Sequence, residues 1–245
     1  MLFRSMKKLN KPIAVLAYHK IGEPADDWNT YNYISEKTFK EHLEYLKNSN
    51  WKCLDIKSFL SGLDDDNNLP DRSVLLSFDD GYASTYEVAL PLLQHYNFPA
   101  VVFVPTAFVG SYNSFDADLL VEPRELMCTW EQLSALENNG VSVQSHGINH
   151  CHFSALTIEE QVAEIHDSKT IIESKIKNEV KLFSFPYGDN VGNDNQIISI
   201  LEGAGYKAAF LYGGGSFSCS TVHPFMIPRI PIGPDADLRS LLGDP

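Results

Sequence analysis

The sequence predicts an α/β fold in which a parallel sheet curls into a barrel with helices on its outside. Two observations carry this. Short, nearly continuous apolar runs recur at 13–18, 73–78, 100–104, 141–144, 181–185, 206–211 and 225–230, as expected of strands covered on both faces. Amphipathic helical patterns lie between them, and repeated strand–helix units imply parallel neighbours. About seven such units suit closure better than an open sheet.

The first strand, Ile13-Ala14-Val15-Leu16-Ala17, runs directly into Tyr18-His19. It follows a basic start, Met1 to Leu9, but is too short for a convincing signal peptide and offers no usable cleavage context. It therefore reads as a buried strand. The sequence as given points to the cytoplasm, and an extracytoplasmic location would require a leader outside it. Phe39, Leu43 and Leu46 share one helical face within 36–48. The polar run Asp64-Asp65-Asp66-Asn67-Asn68 reads as a solvated loop, since it lacks the spaced ligands and bidentate glutamate of a cation loop. A long loop spans 107–127, and loops of that length often border a substrate site. Thr129 with Gln132, and Thr157 with Glu160, each form a capping-box pattern that opens a helix. In the second of these helices Val162, Ile165, Ile172 and Ile176 are expected to form the apolar face. Gly203 and Gly205 close a further helix near 194–203. No linker divides the chain, so 1–245 is expected to be one domain.

Composition narrows the function classes. The apolar fraction of 44% and the aromatic fraction of 11% fit a globular protein. Thirty-two acidic against 19 basic side chains give a net charge of -13, which repels a phosphate backbone and makes a nucleic-acid partner a poor expectation. Cys53, Cys128, Cys151 and Cys219 form no CxxC pair, so zinc-finger and thioredoxin readings lack support. Cys151 follows His150 and is either a metal neighbour or a small buried filler. No stretch approaches the roughly 18 apolar residues needed to span a bilayer.

Three segments carry chemistry, each at a predicted strand end. In a parallel barrel those carboxyl ends converge on one face. The first is Ser77-Phe78-Asp79-Asp80-Gly81-Tyr82. Neighbouring side chains on a strand point to opposite faces, so both aspartates reach one site only if the chain turns, which Gly81 permits. The second is Ser145-His146-Gly147-Ile148-Asn149-His150, whose two histidines approach one ion if the segment coils into a helical turn. His152 is offset by two residues from His150 and reads as structural. The third is Phe183-Ser184-Phe185-Pro186-Tyr187-Gly188, a strand entering a turn. Taken singly, each segment also reads as an ordinary strand end.

Together, in this order and spacing, the three segments resemble the polysaccharide deacetylase family, the NodB-type group also called carbohydrate esterase family four. The resemblance runs from about 13 to 230 and includes Tyr18-His19, Thr129-Trp130-Glu131 and Pro228-Arg229-Ile230. It implies a distorted (β/α) barrel of about seven strands, forming a single catalytic domain. It implies a divalent cation held by Asp80, His146 and His150, with Asp79 as general base and the backbone N–H of Tyr187 as an oxyanion donor. Zinc suits these ligands, and cobalt or nickel would fit the same set. One branch of the family takes its acid histidine from an N-terminal strand, and His19 matches that arrangement. The implied activity is removal of N-acetyl groups from N-acetylglucosamine-type residues of an oligo- or polysaccharide. Deformylases of lipid-linked amino sugars and ureide hydrolases share the scaffold, and a metal-free glycan-binding domain is the rival of a different class.

Two positions depart from the family pattern. Ser184 stands where many members carry an arginine that orients the base. Arg229, from the last strand, is a candidate replacement, with a packing role as the alternative. Gly147 stands where serine or threonine is frequent, with little consequence expected. Trp130 and Tyr187 are candidate sugar-stacking faces, with burial in the core as the alternative.

Overall fold

Every residue from Ser73 to Phe78 is buried, and so is every residue from Ala100 to Val104. Because side chains alternate across a strand, burial without a gap requires cover on both faces. The computed structural model, which describes residues 12–24, 31–189 and 195–243, supplies it. The main strands run in the spatial order Pro12–Tyr18, Ser73–Phe78, Ala100–Val104, Val141–Ser145, Leu182–Ser184 and Ala208–Phe210, each parallel to the next. A short antiparallel strand, Phe217–Ser218, flanks the first.

The sheet curls, and its two edges are bridged by the segment 224–232. On one side the Leu211 N–H donates to Ile227 O at 2.9 Å and the Ile227 N–H to Ala209 O at 3.0 Å. On the other, Ile230–Pro231 pairs with Leu16 and Ala17. The result is the distorted barrel expected from the alternating pattern. Its interior is filled by Ile13, Val15, Leu75, Val101, Phe103 and Phe210, with Phe59 from the helix Ile56–Asp64 packed against them. The opposite strand faces pack against helices through Phe39, Leu43, Leu133, Ile165 and Leu201.

The predicted helix 36–48 is Glu36–Asn48, and both capping boxes are formed, opening Trp130–Asn138 and Ile158–Ile176. Several expectations need correction. The predicted strand 225–230 shrinks to Ile230–Pro231 with isolated bridges at Ile227 and Arg229, because Pro224, Pro228 and Pro231 have no N–H to give a ladder. Val162 is exposed, and the inward face of its helix carries Gln161, Glu164 and Ser168 beside Ile165 and Ile172. Within the run 64–68, Asp66 is buried and accepts from Ser218 Oγ at 3.2 Å, so that loop is not wholly solvated. The long 107–127 stretch contains a short helix, Ser114–Ala117. The basic start at Met1 to Leu9 lies outside the described residues. Among the described residues no helix is long and apolar enough to cross a membrane.

Candidate metal centre and active site

The end of the Ser73–Phe78 strand is built to turn. The Asp79 N–H still donates to Tyr18 O at 2.9 Å, as a strand residue would. Asp80 and Gly81 then both adopt left-handed backbone angles, φ 69° and 74°. This brings the two neighbouring carboxylates into one cavity, as the position of Gly81 predicts.

Opposite lies the segment that follows Val141–Ser145. Its histidines reach a common point, but not through a helical turn. Gly147 and His150 have φ 77° and 50°, and the loop between them is organised by Glu164. That buried carboxylate accepts from the N–H groups of Ile148 at 2.5 Å and Asn149 at 3.1 Å, and from the Asn149 side-chain amide at 2.6 Å. A Cβ at position 147 would fall 2.7 Å from Glu164 Oε2. The left-handed angle favours glycine here, and a side chain at this position would oblige the Glu164 carboxylate to shift. Glu164→Gln should weaken divalent-cation affinity about 10–100-fold, because an amide group facing backbone donors opens the loop that aims His150. Competition against a chelating dye would measure this, and unchanged affinity would remove Glu164 from the site.

Asp80, His146 and His150 each offer one ligand atom, and these atoms lie within 4.8 Å of one another. His150 Nε2 is 3.0 Å and His146 Nε2 3.4 Å from Asp80 Oδ1. The other nitrogen of His146, Nδ1, lies 2.7 Å from Ser184 O. A carbonyl only accepts, so Nδ1 carries the proton and Nε2 is left with its lone pair toward Asp80. Asp80 Oδ1 is buried and, among the described residues, receives no well-formed hydrogen bond. An oxygen so placed between two imidazoles is the donor set of a divalent cation site with positions left open. Burial pushes the Asp80 carboxyl up, but the charge of His150 beside it outweighs burial and holds the group well below the usual range.

Asp79 faces the same cavity but is held from behind. Arg229 is completely buried and grips both carboxylate oxygens, Nη1 to Oδ1 at 2.6 Å and Nη2 to Oδ2 at 2.7 Å. Its Nη2 also donates to Ser184 Oγ at 2.8 Å and its Nε to Leu211 O at 2.8 Å. Burial raises the Asp79 carboxyl, and the guanidinium, with His146, outweighs it and lowers the group overall. The serine at 184 is thus joined to the arginine contributed by the 224–232 segment.

The cavity measures about 280 Å³. His19 lines it, and so do Asn32, Asp116, Glu122, Tyr187 and Tyr212. His19 Nδ1 is buried without a partner among the described residues, and burial lowers its pKa against the upward pull of Asp80 and Asp79. Tyr187 sits at φ 56° with its ring centroid 4.5 Å from that of His150, the two rings meeting edge to face. Trp130 is the first residue of its helix, packs against the core and is not among the cavity's lining residues. Cys151 lies outside the ligand group, its thiol donating to Asn149 O at 3.6 Å.

Sequence reasoning missed Glu164, Asn32, Asp116 and Glu122. Only Glu164 left a trace, as an acidic residue on the inward face of an otherwise apolar helix. Glu122 is buried in an ion pair with Lys20 and accepts from the Asn32 amide, tying the 107–127 loop to the strand end that carries His19.

A curled parallel barrel with an Asp-His-His constellation at the carboxyl ends of its strands defines a class of barrel proteins with a candidate metal centre. The polysaccharide deacetylase model matches residues 66–209. The chain is 29% identical over 216 residues to the poly-beta-1,6-N-acetyl-D-glucosamine N-deacetylase of Staphylococcus aureus (strain MSSA476), covering 84% of this chain and 70% of that one. It is 26% identical over 202 residues to YxkH of Bacillus subtilis (strain 168), covering 82% of this chain and 65% of that one. These relatives are longer, and the chain spans about two thirds of their length. Among solved structures, the Streptococcus pyogenes deacetylase PplD in complex with acetate superposes with a TM-score of 0.80 at 22% identity, covering 95% of this chain and 97% of that one. The chain belongs to the polysaccharide deacetylase family.

Proposed function

We propose that this chain is a metal-dependent hydrolase that removes acetyl groups from N-acetylglucosamine-type residues of an oligo- or polysaccharide. The observation that carries this reading is the pair of adjacent carboxylates with different partners. Asp80 joins His146 and His150, while Asp79 is clamped by Arg229 and joins no ligand group. A divalent cation, zinc by the chemistry of its donors, would supply Lewis acidity to the acetyl oxygen and lower the pKa of a nearby water.

The chain's own residues then divide the work. Asp79 takes the proton from the attacking water as the new C–O bond forms. The backbone N–H of Tyr187 hydrogen-bonds the oxygen that gains charge. His19 delivers a proton to the nitrogen as the C–N bond breaks, so that acetate and an amine leave. The named activity of the Staphylococcus aureus relative is consistent with a β-1,6-linked substrate.

Acetate release from β-1,6- and β-1,4-linked N-acetylglucosamine oligomers tests the proposal. Turnover should disappear on chelation and return with zinc. Formate or ureide turnover without acetate release would move the chain to a neighbouring activity, and a protein that binds glycan but no metal would be a binding module.

A further inference from the structure

We propose that His152 is a positioning residue that holds Tyr187 in its left-handed backbone conformation by stacking on its ring. The inference rests on the reading that the Tyr187 N–H serves the developing oxyanion, and it adds a residue that reading does not use.

Tyr187 has φ 56° and ψ 9°, a region that bulky side chains seldom occupy and that persists only where the surroundings enforce it. Among the described residues, three contacts surround the side chain. His150 meets it edge-on at 4.5 Å and 65°, but His150 belongs to the ligand group. The Tyr187 hydroxyl donates to Asp116 Oδ1 at 3.3 Å, a long bond to a short helix. The broad contact is His152, whose ring lies almost flat on that of Tyr187, with centroids 4.1 Å apart and planes 18° from parallel.

His152 is itself tethered, although more than half of its side chain is exposed. Its Nδ1 is 3.5 Å from Asp189 Oδ1. The other Asp189 oxygen accepts from the N–H and hydroxyl of Ser154, each at 2.8 Å. The turn 186–189 is therefore fastened to 152–154 at two points, by a ring stack at Tyr187 and by a carboxylate at Asp189. An exposed histidine with no place among the ligands has no evident task in this position other than to complete that clasp.

The test uses the zinc-loaded full chain. His152→Ala should lower kcat about tenfold with KM and zinc affinity unchanged, since a small misplacement of a catalytic donor costs rate before binding. His152→Phe, which keeps a flat ring, should restore kcat. In a Tyr187→Ala background, His152→Ala should have no further effect. A crystal structure of His152→Ala should show residue 187 leaving the left-handed region. The proposal is overturned by wild-type kcat in His152→Ala, by a loss that phenylalanine does not restore, by a loss that persists in the Tyr187→Ala background, or by a loss traced to zinc affinity. If the wild-type protein releases no acetate, the functional reading fails, and the backbone angle at residue 187 still decides the positioning claim.

Discussion

Arg229→Met should destabilise the protein by about 3–5 kcal/mol at neutral pH, the usual cost of stranding one member of a buried ion pair. For a chain of this size that is a Tm loss of about 10 °C. Methionine fills much of the volume but leaves the Asp79 carboxylate, 3% exposed, without the guanidinium that now binds both its oxygens. The pH dependence follows from the sign of the shift. In the native protein the Asp79 carboxyl is lowered on folding, so it adds stability above its unfolded pKa and loses that addition as pH falls through the folded value. Without Arg229, the burial that pushes the group upward loses its main opponent. The variant then carries a penalty at neutral pH that vanishes as the carboxyl protonates. Thermal unfolding from pH 8 to pH 4 should show the gap between wild type and variant narrowing as pH falls. A constant gap would mean that Arg229 acts through packing alone.

Asp79→Asn should lower kcat by about 10²–10⁴-fold, the range for loss of a general base, while bound divalent metal stays at the wild-type level. The metal should remain because Asp79 lies outside the ligand group of Asp80, His146 and His150. The contrast is with Asp80→Asn, which should lose metal and activity together. Metal analysis beside initial rates separates the two roles. If Asp79→Asn retained more than about a tenth of wild-type turnover, the base would have to be sought elsewhere.

The strands and helices were largely legible because their signals are local. Continuous apolar runs marked the strands 73–78 and 100–104 to the residue, and the capping boxes at Thr129 and Thr157 fixed two helix starts. The convergence of Asp80, His146 and His150 was legible only through the family resemblance, since an Asp-Asp-Gly turn and two spaced histidines are each commonplace. The loop geometry was not legible. Nothing local to Gly147 announces that Glu164, 17 residues later, will occupy the space a side chain would need. The pairing of Asp79 with Arg229 spans 150 positions, and the missing arginine at Ser184 hinted at it only by leaving a vacancy to be filled.

That pairing also ties the surroundings of Asp79 to closure of the sheet. Arg229 sits on the 224–232 segment that bridges the two edges of the curled sheet. During synthesis the elements carrying Asp79, Asp80, His146 and His150 emerge and can associate while that segment is still inside the ribosome. Until that segment pairs, the Asp79 carboxylate lacks the guanidinium that binds both its oxygens. Closure of the curled sheet and neutralisation of Asp79 by Arg229 are therefore one event.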